Sequence, residues 1–555
     1  MAHPLFERHR ALLEGALDAI RKRGYWSAFP EQPSPKVYGE SASEDGKAAA
    51  LGHRGKHFDL DQPGRHGWAA TEKSPYGVAL DIGYPACDPQ ALIDSGFAAM
   101  PAWQRLGVEG RTGILLEALV RINKASFEIA HAVMVTTGQG WMMAFQAGGP
   151  HAQDRALEAI AYAYREMSFV PGSARWEKPQ GKNPPMVMEK RFEVVGRGTA
   201  LVIGCGTFPT WNTYPGLFAA LATGNPVIVK PHPNAVLPAA ISVRILREVL
   251  RENGIDPNLL TLAVIEDPQV TQTLATNPAV KSIDFTGSNA FGRWLIDHAR
   301  QAQVYAELAG VNNVVIESTD SYKAMLRNLA FTLSLYSGQM CTTTQDLFVP
   351  AGGIDTDEGH MSFDQVAADL GLAIDKFLSD PTTATAVLGA IQSPDTLARI
   401  DEVPRLADVV LASRRIDNPD FPAAQVRAPM LLKCDSGNEA AYMQERFGPI
   451  SFVVKVPDAL SAVALSERIV KEHGALTVGL YSTRQEIIDA MTAATLRAGV
   501  ALSVNLTGNV FVNQSAAFSD FHATGANPSA NASYTDSAFV ANRFRVIQRR
   551  WHAAT

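Results

Sequence analysis

Apolar residues recur along this 555-residue chain at two spacings, one helical and one alternating, and the two take turns. Near the start, Leu5, Leu12, Leu13, Leu17 and Ile20 interleave with Glu7, Arg8, Arg10, Glu14 and Asp18, which predicts an amphipathic helix over 1–24. Over 25–88 the periodicity fades into Pro, Gly and His, and the stretch reads as irregular wrapping. Helical spacing returns over 91–103, 111–135 and 154–165, interrupted by Gly138-Gln139-Gly140 and Gly148-Gly149-Pro150. Residues 169–185 read as a proline-rich connection, and 186–195 alternate like an exposed strand.

From Thr199 the two spacings succeed each other regularly. Strands are expected over 199–203, 226–230, 260–265 and 282–285, with helices over 216–223, 239–253 and 270–276 and a last one running to residue 299. Such β-α-β units build parallel sheets whose loops at the strand C-terminal ends bind ligands. One of these loops, Thr286-Gly287-Ser288 with Gly292 beyond it, opens a helix. It has neither the G-x-G-x-x-G nor the Walker spacing, so in isolation a plain tight turn explains it as well as a phosphate cradle. The alternation resumes more loosely from 341 to 505. An Asn/Ser/Gly-rich tail follows and ends in strand-like alternation at 544–547.

Composition narrows the class. With 46% apolar and 19% charged residues, the chain can bury large cores and is long enough for two or three structural units. The net charge of −7, without a basic cluster, excludes nucleic acid as the principal partner. No run approaches the ~20 apolar residues of a membrane span. Cys87, Cys205, Cys341 and Cys434 are scattered without a CxxC pair. Neither a disulfide framework nor a metal centre is expected, and a reducing, cytoplasmic location is. His131 reads as a packed residue, because no second ligand lies at metal spacing.

Two side chains carry candidate chemistry. Cys341 follows the turn Ser337-Gly338-Gln339 and precedes Thr342-Thr343-Thr344, while Glu307 lies 34 residues upstream beside Gly310. Both are expected on loops just before apolar strands, which would bring a thiol and a carboxylate to one site. Taken singly, Cys341 reads equally as a small buried hydrophobe and Glu307 as a surface acid. Cys205, in Gly-Cys-Gly, is a weaker nucleophile candidate, and Glu445 reads as a solvated loop acid.

Six motifs then fall in one order: Thr210-Trp211-Asn212, Val229-Lys230-Pro231, Phe285-Thr286-Gly287-Ser288 with Gly292, Glu307-Leu308-Ala309-Gly310, Gly338-Gln339-Met340-Cys341, and Glu445-Arg446-Phe447-Gly448-Pro449. In that order they resemble the aldehyde dehydrogenase superfamily over residues 90–550. The resemblance implies an α/β fold: a Rossmann-like cofactor domain (1–185 and 197–308), an α/β thiol domain (309–515) and a small β oligomerisation element (186–196 and 530–555). His3-Pro4-Leu5-Phe6, Arg23-Gly24-Tyr25-Trp26 and the stretch from Ala147 to Arg155 look most similar to the phenylacetic acid degradation (PaaN-type) aldehyde dehydrogenases. That subfamily implies oxidation of a ring-opened, CoA-linked semialdehyde (3-oxo-5,6-dehydrosuberyl-CoA semialdehyde) to its acid. Some relatives carry a fused hydratase domain, and here a separate hydratase protein is expected. A CoA-acylating or broad-range aldehyde dehydrogenase, and a non-catalytic homologue, are the alternatives.

The resemblance also implies roles. Cys341 attacks the aldehyde, Asn212 and the Cys341 backbone N–H hold the oxyanion, and Glu307 activates water against the thioester. Lys230 reaches the adenosine ribose with His232 beside it. Thr286, Gly287, Ser288 and Gly292 serve the pyrophosphate, and Glu445 and Phe447 the nicotinamide end. Pro233 stands where many NAD-preferring relatives carry a glutamate, so NADP is the expected cofactor and NAD the alternative. Thr213 stands where many relatives carry Phe, which leaves either a wider entrance or a site repacked by Trp211 or Tyr214. Pairing through 186–195 and 544–547 implies a homodimer or a dimer of dimers.

Overall fold

The computed structural model describes residues 3–308 and 310–553; Ala309 of the Glu307–Gly310 motif lies outside the described residues, as do the ends of the 1–24 and 530–555 segments. Two parallel sheets dominate. One has five strands in the order Leu260–Leu262, Val227–Lys230, Thr199–Ile203, Val280–Thr286, Gln303–Glu307, all parallel. Chain direction reverses across the sheet on either side of Thr199–Ile203, so the loops after Ile203 and Thr286 open a crevice at the strand C-terminal ends.

The other sheet has seven strands: Asp408–Leu411, Met430–Asp435, Ile450–Val456, Thr344–Pro350, Asn312–Ile316, Thr477–Tyr481 and Ala501–Val504. Only the first runs antiparallel. The strand Thr344–Pro350 is buried throughout, its apolar run Leu347–Val349 as a strand between helical layers should be, and its polar residues Thr344, Gln345 and Asp346 with it. A third sheet, antiparallel, joins Ser173–Gln180, Asn183–Gly196 and Phe544–His552.

Several elements depart from the sequence expectation. Residues 169–185 are not a mere connection, since Ser173–Gln180 pairs along most of Asn183–Gly196; Pro179 interrupts its register without ending it. The helix expected over 111–135 is two, Gly107–Lys124 and Ser126–Thr137, broken at Ala125. The interruption after Gly140 itself contains a helix, Trp141–Gly148. His131 stacks against Trp141 with ring centroids 4.3 Å apart, a packed residue as expected. Glu307 is not on a loop: it is the last residue of Gln303–Glu307, in register with Thr286.

The stretch 25–88 holds the helix Ala42–Gly52 and the strand pair Arg65–Ala69 and Tyr84–Cys87. Its work is clearest at Glu72, whose Oε1 accepts the backbone N–H groups of Val236 and Leu237 at 2.5 and 2.8 Å. Those groups open the helix Leu237–Glu252, whose first N–H groups lack partners of their own. The Thr71 hydroxyl donates to the Pro233 carbonyl at 2.5 Å. The wrapping therefore pins the loop that follows Lys230 and carries His232 and Pro233.

A buried ion pair ties the C-terminal segment to the five-stranded sheet. Arg543 donates from Nη1 and Nη2 to both oxygens of Asp284 at 2.8 and 2.5 Å, with both side chains almost wholly removed from solvent. Its guanidinium lies over the rings of Tyr305 and Phe539. Removing one partner leaves a buried charge unpaired. Arg543→Met is expected to lower stability by about 3–5 kcal/mol, and the double variant with Asp284→Leu to recover most of that loss, read as shifts in the urea midpoint.

Candidate active site

Cys341 is presented by a turn that follows the helix Tyr322–Ser334. Tyr336, Ser337 and Gly338 adopt φ of 54°, 50° and 65° in succession. Left-handed backbone costs a residue with a Cβ about 1–2 kcal/mol, so two such residues persist only where surroundings over-determine them. Those surroundings are explicit. The Tyr336 hydroxyl donates to the Thr137 carbonyl at 2.6 Å, and the Ser337 hydroxyl to the carbonyls of Gly389 and Arg427 at 3.0 and 2.8 Å. A Cβ on Gly338 would stand 2.2 Å from the Gly448 carbonyl oxygen, so glycine is required there. Asn312, the first residue of its strand, donates to the carbonyls of Cys341 and Thr343 at 2.8 and 3.1 Å and fixes the far side of the turn.

Glu307 faces this thiol from the end of the other sheet. Its Oε2 accepts Asn212 Nδ2 at 3.3 Å. Its Oε1 lies 3.2 Å from His522 Nε2 and, among the described residues, finds no aligned hydrogen-bond donor, so this buried carboxylate oxygen can accept from something else. Cys205 takes the other end of Asn212, its thiol donating to Oδ1 at 3.4 Å. Burial pushes that thiol up to about 11, so it remains protonated and holds the amide with its NH₂ toward Glu307.

Electrostatics divide the two principal groups. Burial, then the neighbouring Glu307 carboxylate, pushes the Cys341 thiol well above its ordinary range. Burial also pushes Glu307 upward, but His522, Cys341 and Arg155 together outweigh it and hold the carboxyl below the usual range. At neutral pH the resting pair is therefore thiol and carboxylate.

A cleft of about 670 Å³ runs from this pair to the loops beyond Ile203 and Lys230. Cys341, Glu307, Asn212, Lys230, His232, Thr286, Gly287, Ser288, Glu445 and Phe447 all line it. Ser288 caps the helix Asn289–His298, and a Cβ on Gly287 would strike the Phe285 ring at 2.7 Å. A cleft of this size, with bare backbone and a helix N-terminus in its wall, fits an extended phosphorylated ligand such as a dinucleotide.

Three expectations are corrected. Gly292 does not line the cleft: a Cβ there would stand 2.1 Å from Leu308 Cδ2, so its absence lets the helix pack on the segment after Glu307. Thr213 is buried against Gly204 and also lies off the lining, so it widens no entrance. Glu445 is not a solvated loop acid; burial raises it to about 7, against the pull of Arg399.

At the Lys230 end, burial lowers Lys230 to about 8 and His232 to about 4, which leaves the imidazole neutral. Glu266, just past the strand beside Lys230, lines the same end, so a carboxylate is present after all. Glu266, Arg399 and His522 were not found from the sequence. His522 lies in the Asn/Ser/Gly-rich tail, where no motif or periodicity marks it.

Comparison with known proteins agrees with this geometry. The model of the aldehyde dehydrogenase family matches residues 85–539. A crystal structure of an NAD-dependent aldehyde dehydrogenase from Burkholderia multivorans is 56% identical, with a TM-score of 0.99 and full coverage of both chains. A Thermus thermophilus 1-pyrroline-5-carboxylate dehydrogenase shares the fold at 18% identity, with a TM-score of 0.72 over 95% of this chain and 99% of its own. The NADP-dependent succinate-semialdehyde dehydrogenase of Escherichia coli (strain K12) is 23% identical over 416 residues, 70% of this chain and 79% of its own.

Proposed function

The chain belongs to the aldehyde dehydrogenase family and oxidises aldehydes to acids, and on that premise we propose that Cys341 carries the acyl group as a thioester and Glu307 delivers the water that releases it. The observation that carries this reading is the meeting of a buried thiol and a buried carboxylate with one free oxygen, at the closed end of a cleft of dinucleotide size. A nicotinamide dinucleotide bound in that cleft supplies the hydride acceptor.

The residues divide the remaining work. Cys341 Sγ bonds to the aldehyde carbon, and the carbonyl electron pair moves onto oxygen. Asn212 Nδ2, pre-oriented by Cys205, donates to that oxyanion together with the Cys341 backbone N–H; one such donor is worth about 10²–10³ in rate. Glu307 then accepts a proton from water attacking the thioester. The lowered position of this carboxyl keeps it ionised down to pH values below the usual carboxylate range, so hydrolysis loses its base only under more acid conditions.

We assign 1–185 with 197–308 to cofactor binding, 309–515 to the thiol side, and 186–196 with 530–555 to assembly. Met186, Val546, Ile547 and Trp551 expose apolar surface on the antiparallel sheet, which suits pairing with a second copy as a homodimer or a dimer of dimers. No described helix is long and apolar enough to cross a membrane, and the four free cysteines suit a reducing, cytoplasmic compartment.

The substrate we favour is a ring-opened, CoA-linked semialdehyde, with a separate hydratase acting alongside. Its support is the PaaN-like stretch from Ala147 to Arg155, which stands directly behind the site: the Gly148 carbonyl accepts the Thr210 hydroxyl at 2.8 Å, two residues before Asn212. For the cofactor, the buried neutral His232 and the nearby Glu266 move the balance from the NADP expectation toward NAD, the cofactor of the Burkholderia relative.

Three outcomes are expected. Glu307→Gln forms one burst of reduced cofactor equivalent to the enzyme and then stalls; undiminished steady turnover would remove Glu307 from the base role. A CoA-linked semialdehyde is oxidised to the free acid at the same rate with and without added CoA, whereas CoA-dependent formation of an acyl-CoA product would favour the acylating alternative. Glu266→Gln raises kcat/KM for NADP relative to NAD by about tenfold, corresponding to ~1.4 kcal/mol, measured with both cofactors on one aldehyde.

A further inference from the structure

Beside the reacting pair stands an imidazole that belongs to none of the six motifs. His522 is 5% exposed and held on every side. Its backbone N–H and C=O both pair with Tyr534 at 2.9 Å. Trp211 meets its ring edge-on at 4.6 Å, and Nδ1 lies 3.3 Å from the Ser515 hydroxyl, which Arg155 in turn holds. These contacts set Nε2 3.9 Å from Cys341 Sγ, where the tautomer protonated at Nδ1 can accept from the thiol, with Glu307 Oε1 3.2 Å to the side.

The thiol needs such a neighbour. Burial and Glu307 keep Cys341 protonated, yet only the thiolate is a strong nucleophile. If Glu307 took that proton it would be spent before the thioester needs water. His522 is a second, separate base.

Building on the thioester reading above, we propose that His522 is a catalytic residue that accepts the Cys341 proton. The S–H bond breaks as an N–H bond forms at Nε2, and the sulfur pair bonds to the aldehyde carbon. The imidazolium is stabilised by the Glu307 carboxylate beside it. When water later attacks the thioester, its proton passes to Glu307 and the departing sulfur recovers the proton stored on His522. Glu307 then releases its proton to solvent. The ionisable groups facing the imidazole are Glu307 from its strand, Cys341 from its turn, Arg155 from the helix Pro150–Ser168 through Ser515, and Tyr534 from the tail. Burial holds the Tyr534 phenol well above its ordinary range, so only Glu307 opposes the positive charge that forms.

The test is the pH dependence of Cys341 alkylation by iodoacetamide in the cofactor-free full chain, followed by peptide mass spectrometry so that Cys205 is counted apart. His522→Gln is expected to react about tenfold more slowly near neutral pH, with its inflection displaced upward by about one unit and rates converging with wild type in strong alkali. Convergence shows that the pocket is intact. Should His522→Gln fail to fold, Ser515→Ala, which removes the Nδ1 partner, is expected to move the inflection in the same direction by less. Superimposable profiles overturn the proposal. So does a wild-type profile that changes on EDTA treatment, because the Glu307, Cys341 and His522 atoms lie within 4.8 Å of one another and a metal would then be what faces the thiol. Alkylation that follows His522 without aldehyde turnover leaves this assignment standing and removes the oxidation reading; turnover with a His522-independent profile does the reverse.

Discussion

The site exists because one stretch of the tail stitches two sheets together at the point where chemistry must occur. Thr342 donates its hydroxyl to the Asn513 carbonyl at 2.7 Å, immediately beside the thiol. Sixteen residues further on, the Ser529 carbonyl accepts the Leu308 N–H at 2.6 Å, and Asn531 Oδ1 accepts that of Ala306 at 2.7 Å. Glu307 is thus bracketed by the same segment that grips the Cys341 turn. A carboxylate at the end of one sheet and a thiol entering another would otherwise be related only through the packing of large, separate cores. Reactions of this kind lose orders of magnitude in rate when groups shift by about an ångström, so a direct tether has a clear physical purpose.

Within that frame, burial governs the state of every ionisable group. It pushes Cys341 and Cys205 up, Lys230 and His232 down, and Glu445 to about 7. The cleft consequently carries less charge than its residue list suggests. Glu307 is the exception, held below its usual range by His522, Cys341 and Arg155 together. A lone negative charge at the closed end suits a step in which water must lose a proton. At the far end Lys230, lowered to about 8, is still largely protonated at neutral pH and stands beside bare backbone, where small additions such as the Glu266 carboxylate can tip selectivity between ligands that differ by a phosphate.

The outer wrapping serves this arrangement from a distance. Glu72 supplies the acceptor that the helix Leu237–Glu252 lacks, and its other oxygen accepts the Tyr84 hydroxyl at 2.5 Å. Thr71 holds the loop just before that helix. On the opposite flank, Arg543 and Asp284 lock the last segment onto the strand that ends in Thr286, and Gly216 makes room for the Asp284 carboxyl, which a Cβ would meet at 2.4 Å. The segment around Glu72 and the segment around Arg543 are therefore both fastened to elements whose loops line the cleft.

The sequence by itself determined the alternation of strands and helices from Thr199 onward, the parallel sheets that follow from it, and the order of motifs that pointed to Cys341, Glu307, Asn212 and the loops lining the cleft. Those features are local: periodicity, glycine spacing and loop chemistry are written within a few residues of where they act. It could not indicate that Ser173–Gln180 would pair as a strand, because an exposed polar edge with an internal proline resembles a linker until its partner is present. Nor could it show that Gly292 serves packing, that Thr213 turns away from the cleft, or that Glu266 enters it. Least of all could it find His522, which is placed by Ser515, Trp211, Tyr534 and Glu307, of which Trp211 and Glu307 lie more than two hundred positions away. Tertiary structure decided these because desolvation and close approach are properties of neighbours in space, and neighbours so distant along the chain leave no periodic trace in it.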